Sequence, residues 1–208
     1  MLTDAFDALR ALPTAAAAAL LCYVPLALLL AAEGRRPAAL RHAALYALTG
    51  AFAMLFYVTI LWTGLPEDLA AVRHILNLRP FAWLAAPYRM GPARMAVQLL
   101  CNVLMFVPFG LLLPVAFPAC RRFAATALLC LGLTLAVETA QYFIGRAADV
   151  DDVMMNLLGG MAGYGLFARM RRAFGRTRWF AALLGGDAPD GCPPGAPGPA
   201  LTLSLIHI

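Results

Sequence analysis

Residues 123–144 read FAATALLCLGLTLAVETAQYFI, an apolar run broken by one charge, Glu138, and one amide, Gln141. At 1.5 Å per residue such a run crosses the ~30 Å hydrocarbon core of a bilayer. Three more runs of comparable length precede it, Thr14 to Ala32, Ala43 to Thr63 and Met95 to Phe117, and a shorter, Gly-rich one follows, Val153 to Met170. With 62% apolar and 13% charged residues and a mean hydropathy of +0.77, a soluble fold of this size has nowhere to put its apolar surface. The expectation is an all-α, polytopic transmembrane bundle of about five helices, with an irregular surface segment between the second and third.

All sixteen basic residues are Arg, a coding bias of a high-GC genome more than a chemical signal. The net charge of +5 does not read as nucleic-acid binding, because the Arg residues stand in short clusters between apolar runs, without a basic patch interleaved with aromatics. Arg35, Arg36 and Arg41 follow the first run, Arg121 and Arg122 the third, and Arg169, Arg171, Arg172, Arg176 and Arg178 the fifth. By the positive-inside rule those three loops are cytoplasmic. The amino terminus, the Gly64 to Arg94 segment and the Arg146 to Asp152 loop are then expected outside, in a bacterial plasma membrane. Arg73, Arg79, Arg89 and Arg94 soften the rule in the long outer segment.

The expected organisation is a short extracytoplasmic segment at 1–13, a transmembrane domain at 14–170, a basic and then Gly/Pro-rich cytoplasmic tail at 171–202, and a terminal hexapeptide at 203–208. The first segment holds Asp4 and Asp7 beside Arg10, unlike the basic start of a cleavable signal peptide, so the first helix is expected to be retained. Leu65-Pro66, Asn77 to Phe81, Trp83, Pro87, Tyr88 and Pro92 preclude one continuous helix between the second and third runs and place aromatics at headgroup level. Gly185 to Pro199 is too poor in apolar residues to bury a core and is expected to be disordered. The final LSLIHI resembles a translated transposon mosaic-end adapter and reads as a read-through artefact. Cys22, Cys101, Cys120, Cys130 and Cys192 lack metal-ligand spacing, and the first four read as small membrane-buried hydrophobes.

Polar side chains inside the runs carry the functional signal, because each is costly in a bilayer. Glu138 lies about 9 Å from the outer end of its run, with Gln141 and Thr134 on the same helical face. Asn102 lies about 10 Å deep in the third run, with Gln98 one turn nearer the surface. Asp149, Asp152 and Asn156 share one face if the fifth helix starts early, and Gly159, Gly160 and Gly163 continue it. Gly159-x-x-x-Gly163 is a small-residue pattern that draws helices close, here against the third and fourth. Gln98, Asn102, Glu138, Gln141, Arg146, Asp149, Asp151, Asp152 and Asn156 thereby converge on the outer leaflet and its surface. A structural reading stands beside this: an Arg146–Asp152 ion pair, and interhelical hydrogen bonds from Asn102, Glu138 and Asn156.

Together the motifs resemble the VanZ-like family. They run Asn102 through Pro108-Phe109-Gly110, Glu138-Thr139-Ala140-Gln141, Arg146, Asp149-Val150-Asp151-Asp152 and Asn156-Leu157-Leu158-Gly159-Gly160, and Asn77-Leu78-Arg79-Pro80-Phe81 fits a further segment. The resemblance covers roughly Leu45 to Met170. It implies a small integral membrane protein of the cell envelope. The family's founding member is associated with low-level resistance to the lipoglycopeptide teicoplanin.

Three functional readings follow. In the first, a non-enzymatic protein uses an outward-facing pocket of Asn102, Glu138, Gln141, Arg146, Asp149, Asp152 and Asn156 to bind an envelope lipid or a glycopeptide-related ligand. In the second, a membrane-embedded enzyme acts on a lipid-linked or phosphorylated envelope substrate, with Glu138 or Asp152 as general base and Arg146 as anion clamp. Mg²⁺ on Asp149, Asp151 and Asp152 is the cofactor that reading admits; none is expected otherwise. The third is transport, for which helices interrupted at Pro108 and Pro114 would speak, while five helices without an internal repeat speak against it. The glycines of the fifth helix suit a homo-oligomer face as well as an internal one.

Overall fold

The computed structural model describes residues 2–32, 38–61, 66–68, 72–81 and 91–186; within it, residues 2–12, 15, 92 and 94 are described by their backbone. The chain builds α1 (Leu2–Ala32), α2 (Ala39–Phe56), a π-helical turn (Tyr57–Leu61) and the short strand β1 (Ile75–Asn77). There follow α3 (Pro92–Ala116), a 3-10 turn (Pro118–Arg121), α4 (Phe123–Phe143), β2 (Ala147–Asp149), α5 (Val150–Phe174) and α6 (Arg178–Leu183). This is the expected all-helical bundle, with five long helices and one short one among the described residues. Ala39–Leu61, Met95–Ala116 and Phe123–Phe143 are long and apolar enough to cross a membrane, and α1 contributes a shorter apolar stretch, Ala16–Ala32. Trp83, Pro87 and Tyr88, residues 187–202 of the Gly/Pro-rich tail and the terminal hexapeptide lie outside the described residues.

The bundle is apolar outside and buries a polar cluster beside its apolar core. Leu128 and Leu104 are 67% and 57% exposed, as suits side chains solvated by lipid, whereas Thr59, Thr134, Glu138, Gln141 and Asn156 are buried. The core is the face where α2, α3 and α4 meet, built on Leu48, Leu55, Phe106, Phe109, Leu113, Cys130 and Val137. Cys120 and Cys130 are buried there, but Cys22 and Cys101 are exposed on the bundle surface.

The α3–α5 crossing fixes the geometry of everything else. A Cβ on Gly110 would lie 1.9 Å from the Gly160 carbonyl oxygen, one on Gly159 2.0 Å from that of Val103, and one on Gly163 2.1 Å from that of Val107. The two backbones therefore touch, and only glycine fits between them. Gly160 faces α4, where a Cβ would lie 2.7 Å from Cys130 Sγ. The stripe of small residues does the packing its spacing predicts.

Three local features add to these expectations. α3 runs continuously through Pro108 and Pro114, so the interruption that would point to transport is absent. α1 begins at Leu2, extending the first helix through the expected 1–13 segment. Two strands, β1 and β2, pair in parallel with register Ile75↔Ala147, Leu76↔Ala148 and Asn77↔Asp149, tying the segment after α2 to the loop before α5.

Candidate functional site

The site is assembled where α4 ends and α5 begins. Gly145 stands at φ +79°, with the Gly145 amide donating to the Tyr142 carbonyl at 3.2 Å and the Arg146 amide to that of Gln141 at 2.9 Å. This is a Schellman-type helix end, which needs the left-handed residue glycine supplies. It folds Arg146 back over the bundle, where its Nη1 donates to the Thr59 carbonyl at 2.6 Å. That carbonyl belongs to the π-helical turn and also accepts from Gln141 Nε2 at 3.4 Å. A π turn releases backbone carbonyls from the regular ladder, and such turns recur at functional sites.

Asp149 caps α5. Its Oδ1 accepts from the Asp151 amide at 2.9 Å, the side-chain-to-N2 bond of an N-cap, and its Oδ2 accepts from Asn77 Nδ2 at 2.9 Å. The early start brings Asp152 and Asn156 onto the face that meets α3 and α4. Asp152 Oδ1 accepts from Asn102 Nδ2 at 2.5 Å, Asn156 Nδ2 donates to Thr134 Oγ1 at 2.9 Å, and Glu138 Oε2 accepts from the Asp149 amide at 2.9 Å. Asp151 is buried, with Oδ1 accepting from the Phe81 amide at 2.7 Å. Phe81 is the one described non-glycine residue at positive φ, +58°, a strained conformation that this bond helps to hold.

Between these side chains lies a cavity of about 300 Å³ whose walls include Gln98, Asn102, Glu138, Gln141, Arg146, Asp152 and Asn156, together with Thr59, Cys101 and Met105. Six of the seven residues read as ligand-binding thus face one space. Asp149 does not: it lines a neighbouring apolar groove of about 370 Å³, formed by Leu76, Leu78, Leu135, Phe143 and Val153, and Glu138 lines both. Asp149, Asp151 and Asp152 turn their carboxylates to different partners, and no group of three or more Asp, Glu, His or Cys among the described residues comes together as a metal site.

The model of the VanZ/LLP1 family matches residues 43–171. The chain belongs to that family. It is 31% identical over 115 residues to Protein VanZ of Enterococcus faecium, an alignment covering 54% of this chain and 69% of that protein. No solved structure matches the chain. The family span encloses the whole cavity wall, from Val58 to Asn156, and agrees with the Leu45 to Met170 resemblance read from motifs.

Some contributors to this VanZ/LLP1 site were not legible as such. Thr59 acts through its backbone carbonyl, which no side-chain pattern reveals. Gly145 was readable: a glycine directly after the last apolar residue of a helix is a stop signal. Asn77 entered only through the family motif, and its bond to Asp149 explains that position physically.

Proposed function

We propose that this VanZ/LLP1 protein sits in the bacterial plasma membrane with the cavity opening to the outer face, handles an envelope lipid there, and thereby lowers binding of lipoglycopeptides such as teicoplanin at the surface. The observation that carries this reading is the cavity itself. Two carboxylates, one guanidinium and several amides share a space among helices that are otherwise apolar, at a cost that a bundle held by packing alone would not incur. Orientation is supported by the arginines: Arg41 and Arg121 bond the carbonyls at the far end of α3, and α5 carries Arg171 and Arg172 in its last turn. The positive-inside rule turns that end to the cytoplasm and the cavity outward.

The test is teicoplanin susceptibility and surface binding in a sensitive host, with wild type and Asp152→Asn at matched membrane levels. Reduced drug binding that is lost in the variant supports the reading. No change in either strain removes resistance as its outcome. Glu138 and Asp152 in one cavity with Arg146 also favour a second reading, an enzyme acting on a lipid-linked or phosphorylated envelope substrate, with a carboxylate as general base. Turnover of such a substrate by purified protein, lost in Glu138→Gln, separates it from the first.

A further inference from the structure

The cavity contains a buried acceptor that nothing in the structure satisfies. Asn156 is 2% exposed, its amide nitrogen is given to Thr134, and its Oδ1 has no hydrogen-bond partner. A buried carbonyl oxygen of this kind is normally paired, so the space before it calls for a donor. Glu138 and Asp152 add acceptor oxygens to the same wall, and Arg146 is the one cationic side chain on it among the described residues, with Nη1 committed to Thr59.

This balance selects among headgroups. A phosphate offers acceptors alone and would meet two carboxylates against one guanidinium. An ammonium offers donors alone and would leave the amide of Gln98 and the guanidinium N–H groups of Arg146 beyond Nη1 without an acceptor. A hydroxyl both donates and accepts, and suits a wall of mixed carboxylates, amides and guanidinium. A volume of about 300 Å³ lies at the lower limit for ligand sites and suits one small polyol or sugar ring. On the far side of Glu138 the apolar groove of Leu76, Leu78, Leu135, Phe143 and Val153 offers a path for a chain attached to that head. Leu135 and Phe143 are exposed on the bundle surface, where lipid reaches them.

Resting on the reading that the site handles an envelope lipid, we propose that the cavity binds the neutral polyhydroxyl headgroup of a membrane lipid, with its acyl chain in the groove that shares Glu138.

The experiment uses the full chain in phosphatidylcholine nanodiscs doped equally with a monoglucosyl diacylglycerol and a phosphatidic acid of the same acyl chains. Retained lipid is read by native mass spectrometry after release into a polyoxyethylene detergent, since alkyl maltosides carry the proposed headgroup and would compete. At least tenfold enrichment of the glycolipid over phosphatidic acid is expected. Asn156→Leu should remove it, Asn156→Asp, which keeps an acceptor, should retain it, and Leu135→Trp should block the chain. Enrichment of phosphatidic acid overturns the headgroup assignment while leaving lipid handling intact. Enrichment of neither lipid overturns both this inference and the reading beneath it. Free glucose competing as well as the glycolipid, with Leu135→Trp without effect, shows a free sugar to be the ligand and overturns the lipid assignment. Glycolipid enrichment unchanged in a folded Asn156→Leu protein places the ligand elsewhere, and the orphan oxygen then serves a water.

Discussion

α3 and α5 meet twice, by opposite means. Along the glycine seam, Gly110, Gly159 and Gly163 set backbone against backbone with no space for one further carbon. Toward the start of α5, Asn102 bonds Asp152 directly at 2.5 Å, and both side chains line a cavity of about 300 Å³. The seam spends all its surface on packing. The polar end leaves an acceptor unpaired and a volume unfilled, although polar groups are most expensive where lipid surrounds them. A helix pair held at one place without slack can keep a cavity open at another. The seam is therefore the scaffold and the polar end the site.

The comparison breaks most easily at the seam. Gly159→Val or Gly163→Leu places side-chain atoms against carbonyl oxygens that cannot rotate away, so the cost should exceed about 3 kcal/mol, and the protein should fail to accumulate in membranes by quantitative immunoblot. Normal levels of either variant would mean that the helices separate cheaply, and the scaffold argument would fall. At the polar end, Glu138→Gln, Arg146→Ala and Asp152→Asn should abolish the drug-binding phenotype with membrane levels unchanged. If all three are simply missing from the membrane, their role is structural and the two regions do not differ.

The division between the two regions also decides what was legible in the sequence. Glu138, Gln141, Asn102, Asp152 and Asn156 stand out because an apolar background makes each amide or carboxylate conspicuous, and helical spacing alone aligns them. Gly159 and Gly163 stand out for the same reason. The β1–β2 pair does not: three-residue strands are too short to show a period of two, and parallel partners 72 residues apart share no local signal. Nor does Thr59, whose contribution is a carbonyl freed by a π turn. Pro108 and Pro114 leave the run read from Met95 to Phe117 unbroken, because in a packed membrane bundle neighbouring groups take up the carbonyls that proline frees.

Gly145→Ala sharpens the boundary of the site. Its φ of +79° and a Cβ 2.7 Å from that of Val72 predict a loss of about 1–2 kcal/mol. Because the same turn carries Arg146 to Thr59, the lipoglycopeptide phenotype should weaken more than thermal stability does. An equal loss in both, compared by nanodisc melting and drug binding on one preparation, would make the turn purely structural.

The smallest effect is expected at the opposite end of the bundle. Arg41 donates Nη1 and Nη2 to the carbonyls of Val115 and Ala116, at 3.3 and 3.1 Å, and Arg121 Nη2 donates to that of Leu184 at 3.0 Å. Burial, then the neighbouring Arg41 and Arg171, pulls the Arg121 guanidinium below its usual range. These cations satisfy carbonyls at helix ends and complement their negative dipole ends. Arg41→Ala should therefore cost about 1 kcal/mol, the net worth of such bonds, and relieve some of the crowding on Arg121, leaving drug binding unchanged. Arg146→Ala removes one guanidinium–carbonyl bond of the same kind yet should abolish function. Equal functional loss from the two substitutions would show that arginine capping, and not the cavity, underlies the phenotype.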